Sequence, residues 1–374
     1  MLSSLELVNY RRFKQYQLTG LKRVNLLVGG NNSGKTAILE AVHLLASDGD
    51  LGVLARIARE RGEMNYAEAN AEEARRLVFP DISHFFHGHE FEAGSSFALR
   101  STPGDRGIEF SIKNVAAPQV SVSAKDFGGV LAPFVLNLAI RGKRNGPDPV
   151  DSPLPVSVIS EEGALPLGLP LPPARRAKRQ NDEAPVQFVS TDSLERSTLG
   201  KLWDEVVIEG REKDVEDAMR IVEPTLSSVA FLSWDPTKRY ERTVDIFVGF
   251  DGTQRRYPLG SHGEGMRRML GLALALANSR NGTLLIDEID TGLHYSIMGD
   301  TWLLVAEAAE RYNIQVFATT HSFDCIRGLN WLCLLHPELG KEVSLQKIEP
   351  TLEQAVALDA RNIRIAVAQD MEVR

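Results

Sequence analysis

The chain has 374 residues, 43% of them hydrophobic and 25% charged, with a formal net charge of −8, a profile that fits an ordinary folded protein of roughly two or three domains. That acidity excludes a uniformly basic nucleic-acid wrapper and leaves only local basic patches for DNA. Cys325 and Cys333 lack metal-type spacing, no apolar run approaches ~18 residues and the N-terminus lacks signal-peptide order, so the sequence predicts a cytoplasmic protein with no membrane partner.

Residues 3–9 alternate apolar and polar side chains as a half-buried strand should, and a second strand is expected over Phe13–Leu18. Between them Arg11 and Arg12 read as a solvated turn, with a base, a phosphate or DNA as alternative contacts. Val24–Val28 reads as a buried strand that leads into Gly29-Gly30-Asn31-Asn32-Ser33-Gly34-Lys35-Thr36 and an apolar-patterned helix start at Ala37–Val42. Gly29, four residues and Gly34-Lys35-Thr36 have the P-loop spacing. Small residues there let backbone N–H groups face a di- or triphosphate, Lys35 reaches the β and γ oxygens, and the Thr36 hydroxyl ligates Mg²⁺. The strand and helix that the motif requires are both present, which a chance glycine turn does not explain.

Residues 51–78 carry helical spacing rich in Ala, Arg and Glu, ended by Pro80. His84, His87 and His89 have no acidic or cysteine partner at helical spacing and read as a loop packed by Phe85 and Phe86 rather than a metal site. Strands are expected over 95–101, 107–113, 118–123 and 133–139. From Gly142 to about Pro185, repeated prolines and the basic run Arg175, Arg176, Lys178 and Arg179 predict an exposed insertion. Its basic run is either solvated or a contact for nucleic acid, a partner or an acidic surface. Order resumes with a strand at Val186–Val189, helices near 194–207 and 211–222, and strands near 228–234, 243–249 and 255–258. No heptad pattern is sustained between the P-loop and residue 260, so no long coiled-coil arm is expected.

Leu259–Gly265 opens the helical run Met266–Ala277. Ser261 and Glu264 have capping-box spacing, but Gly263 and Gly265 exceed what a cap needs and suit an anion at a helix N-terminus. Gly282–Glu288 is an apolar strand ending in two carboxylates, the form of a buried parallel strand delivering acids to the P-loop. Asp287 is then placed to hold Mg²⁺ through water and Glu288 to polarise an attacking water. In the following turn Asp290 reads as a cross-subunit contact and His294 as structural, before a helix over 297–311. Ile314–Ser322 is another buried strand, with His321 at its carboxyl end to bond a γ-phosphate or merely to neighbour a helix cap. Strands near 331–335 and 342–348 and an amphipathic helix over about 361–371 close the chain.

Together Gly29–Thr36, Ser261–Gly265, Leu284–Glu288, Asp290 and His321 resemble the ABC-type ATPase head of the RecF, SMC and overcoming-lysogenisation-defect (OLD) group. Within that group the chain looks most like the stand-alone, armless ATPases related to OLD nucleases, on the Asn31-Asn32-Ser33 filling of the P-loop, Gly263–Arg268 and Asp287–His294. The resemblance covers residues 1–141 and 186–374. It implies an α/β P-loop NTPase fold of ABC-ATPase type, with a mixed central sheet, helices and an antiparallel β lobe. The expected division is an N-terminal ATPase lobe at 1–141, the Pro-rich basic insertion at 142–185 and a C-terminal ATPase lobe at 186–374.

Carried over residue by residue, the resemblance implies that ATP sits on Gly29, Gly30, Asn31, Asn32, Ser33, Gly34, Lys35 and Thr36, and that Thr36 and Asp287 hold Mg²⁺. Glu288 would be the catalytic base and His321 the γ-phosphate sensor. Ser261 and Gly263 would contact ATP held by a second subunit, with Asp290 at the same interface, giving a head-to-tail homodimer around two nucleotides. His262 departs from the glycine of transporter ATPases, and the coupling glutamine of the first lobe is not assignable. The 53 residues after His321 are too few for a Toprim-type nuclease domain beside the elements expected there. The implied role is an Mg²⁺-dependent ATPase whose dimer switch controls a partner effector or a DNA transaction, in phage defence or DNA repair by analogy. An ATP-dependent DNA clamp with slow turnover is the alternative, and a transporter subunit the weaker one.

Overall fold

A computed structural model describes residues 1–67, 77–101, 106–114, 134–143, 154–160, 184–190, 196–233 and 244–369. The chain opens with the hairpin β1 (Ser4–Tyr10) and β2 (Phe13–Thr19), then runs through β3 (Val24–Val28) into α1 (Lys35–Ala46) and α2 (Leu51–Glu60). Next come the pair β4 (Met64–Ala67) and β5 (Leu77–Pro80), and the strands β6 (Ser96–Ser101), β7 (Arg106–Asn114), β8 (Phe134–Lys143) and β9 (Leu154–Ser160). β10 (Val186–Val189) precedes α3 (Arg196–Ile208), α4 (Glu212–Met219) and the meander β11 (Leu226–Ser233), β12 (Val244–Phe250) and β13 (Arg256–Pro258). The last third is α5 (Glu264–Ala277), β14 (Thr283–Ile286), α6 (Met298–Arg311), β15 (Gln315–Thr319), α7 (Phe323–Leu335), α8 (Pro337–Gly340), β16 (Val343–Lys347), β17 (Val356–Leu358) and α9 (Ala360–Ala368).

Two sheets organise these elements. The central one has the order β10-β14-β15-β3-β16-β17, parallel throughout except for the antiparallel β16–β17 edge. The other, β2-β1-β6-β7-β8-β9, is antiparallel and forms the β lobe. The fold is therefore the expected α/β arrangement of a mixed sheet with helices and an antiparallel lobe. Side chains alternate across a strand, and the core follows that rule. Leu26, Leu284 and Val316 join the cluster under α5 and α6, whereas Leu27, Leu285 and Phe317 join the one that α1 shares with the β lobe. Both faces of the parallel strands are thus covered, which is why β3, β14 and β15 read as continuous apolar runs.

Several expectations fail for local reasons. The helix expected over 51–78 ends at Glu60, because Gly62 (φ +71°) takes the left-handed conformation of a Schellman stop. The Glu63 N–H reaches the carbonyl of Ala58 and the Gly62 N–H that of Arg59. Met64–Ala67 and Leu77–Pro80 then pair as strands. Residues 331–335 are not a strand but the last turns of α7; an unbroken apolar run does not tell helix from strand. Here the Ser322 cap and the close fit of Gly328 against Met298 settle it as helix. Inside the expected loop at 142–185, β9 continues the lobe sheet beside β8. The strand expected over 118–123 and the basic run at 175–179 lie outside the described residues.

Arg11 is not solvated. Only 4% exposed, it pairs with Glu40 of α1 at 2.8 Å and with Glu63 at 2.7 Å, while Arg12 is exposed. The histidine segment behaves as a packed loop, with Phe85 and Phe86 buried, and no group of metal-ligating side chains occurs among the described residues. No described helix is long and apolar enough to cross a membrane.

Candidate active site

The carboxyl ends of β3, β14 and β15 lie side by side, because these strands are parallel neighbours in the sheet. That edge is where open α/β sheets bind ligands. β3 delivers the glycine loop, β14 delivers Asp287 and Glu288, and β15 delivers Thr319, Thr320 and His321.

In the glycine loop two positions admit no side chain. A Cβ on Gly29 (φ +149°) would lie 2.6 Å from the Ile348 carbonyl, and one on Gly34 (φ +103°) would lie 2.4 Å from the ring of Phe13. The loop therefore closes tightly against Ile348 and Phe13 before the start of α1. Ser33 is 3% exposed and its Oγ has no hydrogen-bond partner. Gly30, Asn31 and Asn32 stand at the exposed rim. Lys35, 5% exposed, folds over the loop and donates to the carbonyls of Gly29 at 2.8 Å and Gly30 at 3.0 Å. Burial lowers its pKa to about 8, although Asp287 and Glu288 pull the other way.

The acids meet this loop across the sheet. The Thr36 hydroxyl lies 3.3 Å from the Asp287 carboxylate, 251 residues further along the chain. Thr319 donates its hydroxyl to that same carboxylate at 2.6 Å, and its oxygen accepts the Glu288 N–H at 2.8 Å. Glu288 itself takes a left-handed backbone (φ +49°), which L side chains avoid, and its carboxylate accepts the Thr291 hydroxyl at 3.0 Å. From α5 the buried Arg268 donates to the carbonyls of Asp287 at 2.7 Å, Glu288 at 2.9 Å and Ser190.

The remaining expected residues divide. His321 is part-buried at the shared edge, beside Ser322, which caps α7. Asp290 is turned inward, where its carboxylate accepts the Thr320 hydroxyl at 2.5 Å. His294 is structural, accepting the Ser296 N–H at the head of a single turn before α6. Ser261 does not cap α5. It lies in a one-turn 3-10 segment, the N-cap is Gly263 (φ +85°), and both are exposed.

A family described as "AAA ATPase domain" matches residues 1–79, and one described as "AAA domain, putative AbiEii toxin, Type IV TA system" matches residues 174–324. The chain is 38% identical over 73 residues to the DNA replication and repair protein RecF of Acinetobacter baylyi, 20% of this chain and 18% of that one. With the glycine loop and paired acids on one sheet edge, these matches make the chain an ATPase similar to AAA-type ATPase domains and, over 73 residues, to RecF. An ATP/GTP phosphatase of Helicobacter pylori is 20% identical over 360 residues, 88% of each chain. The SMC head bound to the C-winged helix domain of ScpA has a TM-score of 0.47 at 14% identity, over 96% of this chain and 98% of that one.

The ATPase's own residues fit its nucleotide. The orphaned Ser33 hydroxyl, in a loop that ends at the N-terminus of α1, is suited to a phosphate oxygen. The Thr36 hydroxyl beside a carboxylate is a hard-oxygen donor set that suits Mg²⁺. Sequence reading missed Thr319, which holds both acids, and the buried contacts of Arg268. The signal for the latter was present, since an arginine opening a helix that is apolar all round is either misplaced or paired inside.

Proposed function

We propose that this ATPase binds MgATP on Lys35, Thr36 and Asp287, hydrolyses it with Glu288 as base, and uses the cycle to open and close a head-to-tail homodimer. The observation that carries the reading is the meeting of Thr36 and Asp287 at 3.3 Å, with Glu288 the next residue on the same turn. Bound Mg²⁺ would neutralise charge on the β and γ oxygens. Lys35 exchanges the Gly29 and Gly30 carbonyls for phosphate oxygens, which strengthens as the γ-phosphoryl group accumulates charge. Glu288, its backbone fixed by Thr319, accepts a proton from water aimed at that group. His321 stands at the same edge and bonds the γ-phosphate.

The exposed Ser261 and Gly263 at the head of α5 are free to meet nucleotide on a second copy, as an anion at a helix N-terminus. In that dimer Asp290 acts through the turn it shapes, since its carboxylate is already held by Thr320. Control of a DNA transaction is supported by the likeness to RecF, and a toxin–antitoxin setting by the family matched over residues 174–324. Residues 1–141 and 186–374 serve as the two ATPase lobes. The test is phosphate release by the full chain with and without Mg²⁺. Release that needs Mg²⁺ and falls at least about 100-fold in Glu288→Gln supports the reading, and release indifferent to either change contradicts it.

A further inference from the structure

Arg268 lies on the second turn of α5, 5% exposed, five residues beyond the exposed N-cap Gly263. Its guanidinium donates to the carbonyl of Ser190, which follows β10, and to those of Asp287 and Glu288, which follow β14. A buried arginine satisfying carbonyls at strand ends has an ordinary structural explanation, because such carbonyls have no ladder partner and are costly to leave bare. The particular carbonyls say more.

Glu288 sits at φ +49°, a conformation that persists only where its surroundings over-determine it. Four hydrogen bonds from outside the turn do so. Thr319 takes the Glu288 N–H through its hydroxyl and the Ile289 N–H through its carbonyl, and Arg268 grips the two carbonyls on the other side. The start of α5 also touches the turn beyond. A Cβ on Gly265 would lie 3.1 Å from the Gly292 carbonyl, and one on Gly292 would lie 3.1 Å from Glu264 Cγ. Helix α5 therefore connects its exposed N-cap Gly263, which follows the one-turn segment carrying Ser261, to the peptide that aims the Glu288 carboxylate.

We propose that Arg268 is a positioning residue that fixes Glu288 for hydrolysis and transmits to it the engagement of Ser261 and Gly263 with a second subunit's nucleotide. This rests on the ATPase-dimer reading above. A shift of α5 on meeting the facing γ-phosphate moves the guanidinium, and with it both carbonyls of the acidic turn. Lysine does not replace it, because a single ammonium lacks the planar fork that spans three carbonyls.

The experiment compares full-length wild type, Arg268→Lys, Ser261→Arg and the double variant for steady-state phosphate release, fluorescent-ATP affinity and thermal unfolding. Arg268→Lys is expected to keep the ATP Kd within about 3-fold and to lower kcat by about 10- to 100-fold, as displacement of a catalytic group by about an ångström does. If the arginine carries the signal from Ser261, the two losses in kcat are not multiplicative, and the double variant is no slower than the slower single one. Losses that multiply, or a kcat per folded molecule equal to wild type, overturn the inference. Should Arg268→Lys fail to fold, Gly265→Ala perturbs the same helix–turn contact without stranding a charge, and a wild-type kcat there overturns it equally. Glu288→Gln run alongside separates the two levels. If wild type turns over and Glu288→Gln does not, the reading stands and the arms above judge Arg268; a wild type that releases no phosphate sinks both.

Discussion

Lys35 should make nucleotide binding a proton-uptake reaction. In the free protein its ammonium is buried against the Gly29 and Gly30 carbonyls, and its pKa falls to about 8. Phosphate oxygens alongside return it to about the ordinary lysine value of 10.4 or above. Between those two values the free site loses its proton as pH rises while the occupied site keeps it, so affinity falls with pH. The Kd for MgATP should be flat below about pH 7 and about 30-fold weaker at pH 9.5, and binding at pH 8 should take up about half a proton. Calorimetric titration of the wild type with a non-hydrolysable MgATP analogue, in two buffers of different ionisation enthalpy, measures both. Zero uptake at pH 8 with a Kd unchanged to pH 9.5 would refute the reasoning. The same shift has a folding counterpart. Between about pH 8 and 10.4 the unfolded chain binds more protons at this lysine than the folded one, so nucleotide-free stability gains with pH there, a gain that Lys35→Met lacks.

Gly34→Ala puts a methyl group 2.4 Å from the Phe13 ring at φ +103°, so denaturant unfolding should show a loss of about 2–5 kcal/mol; a loss under about 1 kcal/mol would contradict the close packing of loop and ring. Arg11→Met strands the buried Glu40 carboxylate with Arg61 alone, and should cost about 3 kcal/mol at pH 8. Burial already raises the Glu40 pKa, so the folded variant binds its proton more readily than the unfolded chain and the deficit should shrink as pH falls toward 5. Thr319→Val removes the donor to Asp287 and the acceptor for the Glu288 N–H, and should lower kcat about 10-fold or more while raising the Mg²⁺ concentration needed for half-maximal rate.

Much of this site was legible because its chemistry dictates residue types at short spacing. The glycine loop needs small residues at Gly29 and Gly34, a lysine and a hydroxyl within eight positions, and a strand covered on both faces announces itself as an apolar run such as Thr283–Ile286. What the sequence conceals is pairing over distance. Arg11 looks like a surface arginine until the fold brings Glu40 and Glu63 to it, and Arg268 sits in an apolar helix but its partners, the carbonyls of Asp287 and Glu288, are named only by the fold. Thr319 passes for one more β-branched residue in a strand. Helix propensity over 51–78 is overridden by one left-handed glycine, Gly62, and the run ending in Leu335 is helical because Gly328 lets α7 approach α6.

The central claim is that ATP closes a dimer across Ser261 and Gly263. Its most direct test is the mass in solution of Glu288→Gln, with MgATP and without nucleotide, by light scattering. The account predicts a monomer without nucleotide, a dimer with MgATP, and a monomer under both conditions when Ser261→Arg is added. A mass that ATP does not change, or an ATP-dependent dimer untouched by Ser261→Arg, would contradict it.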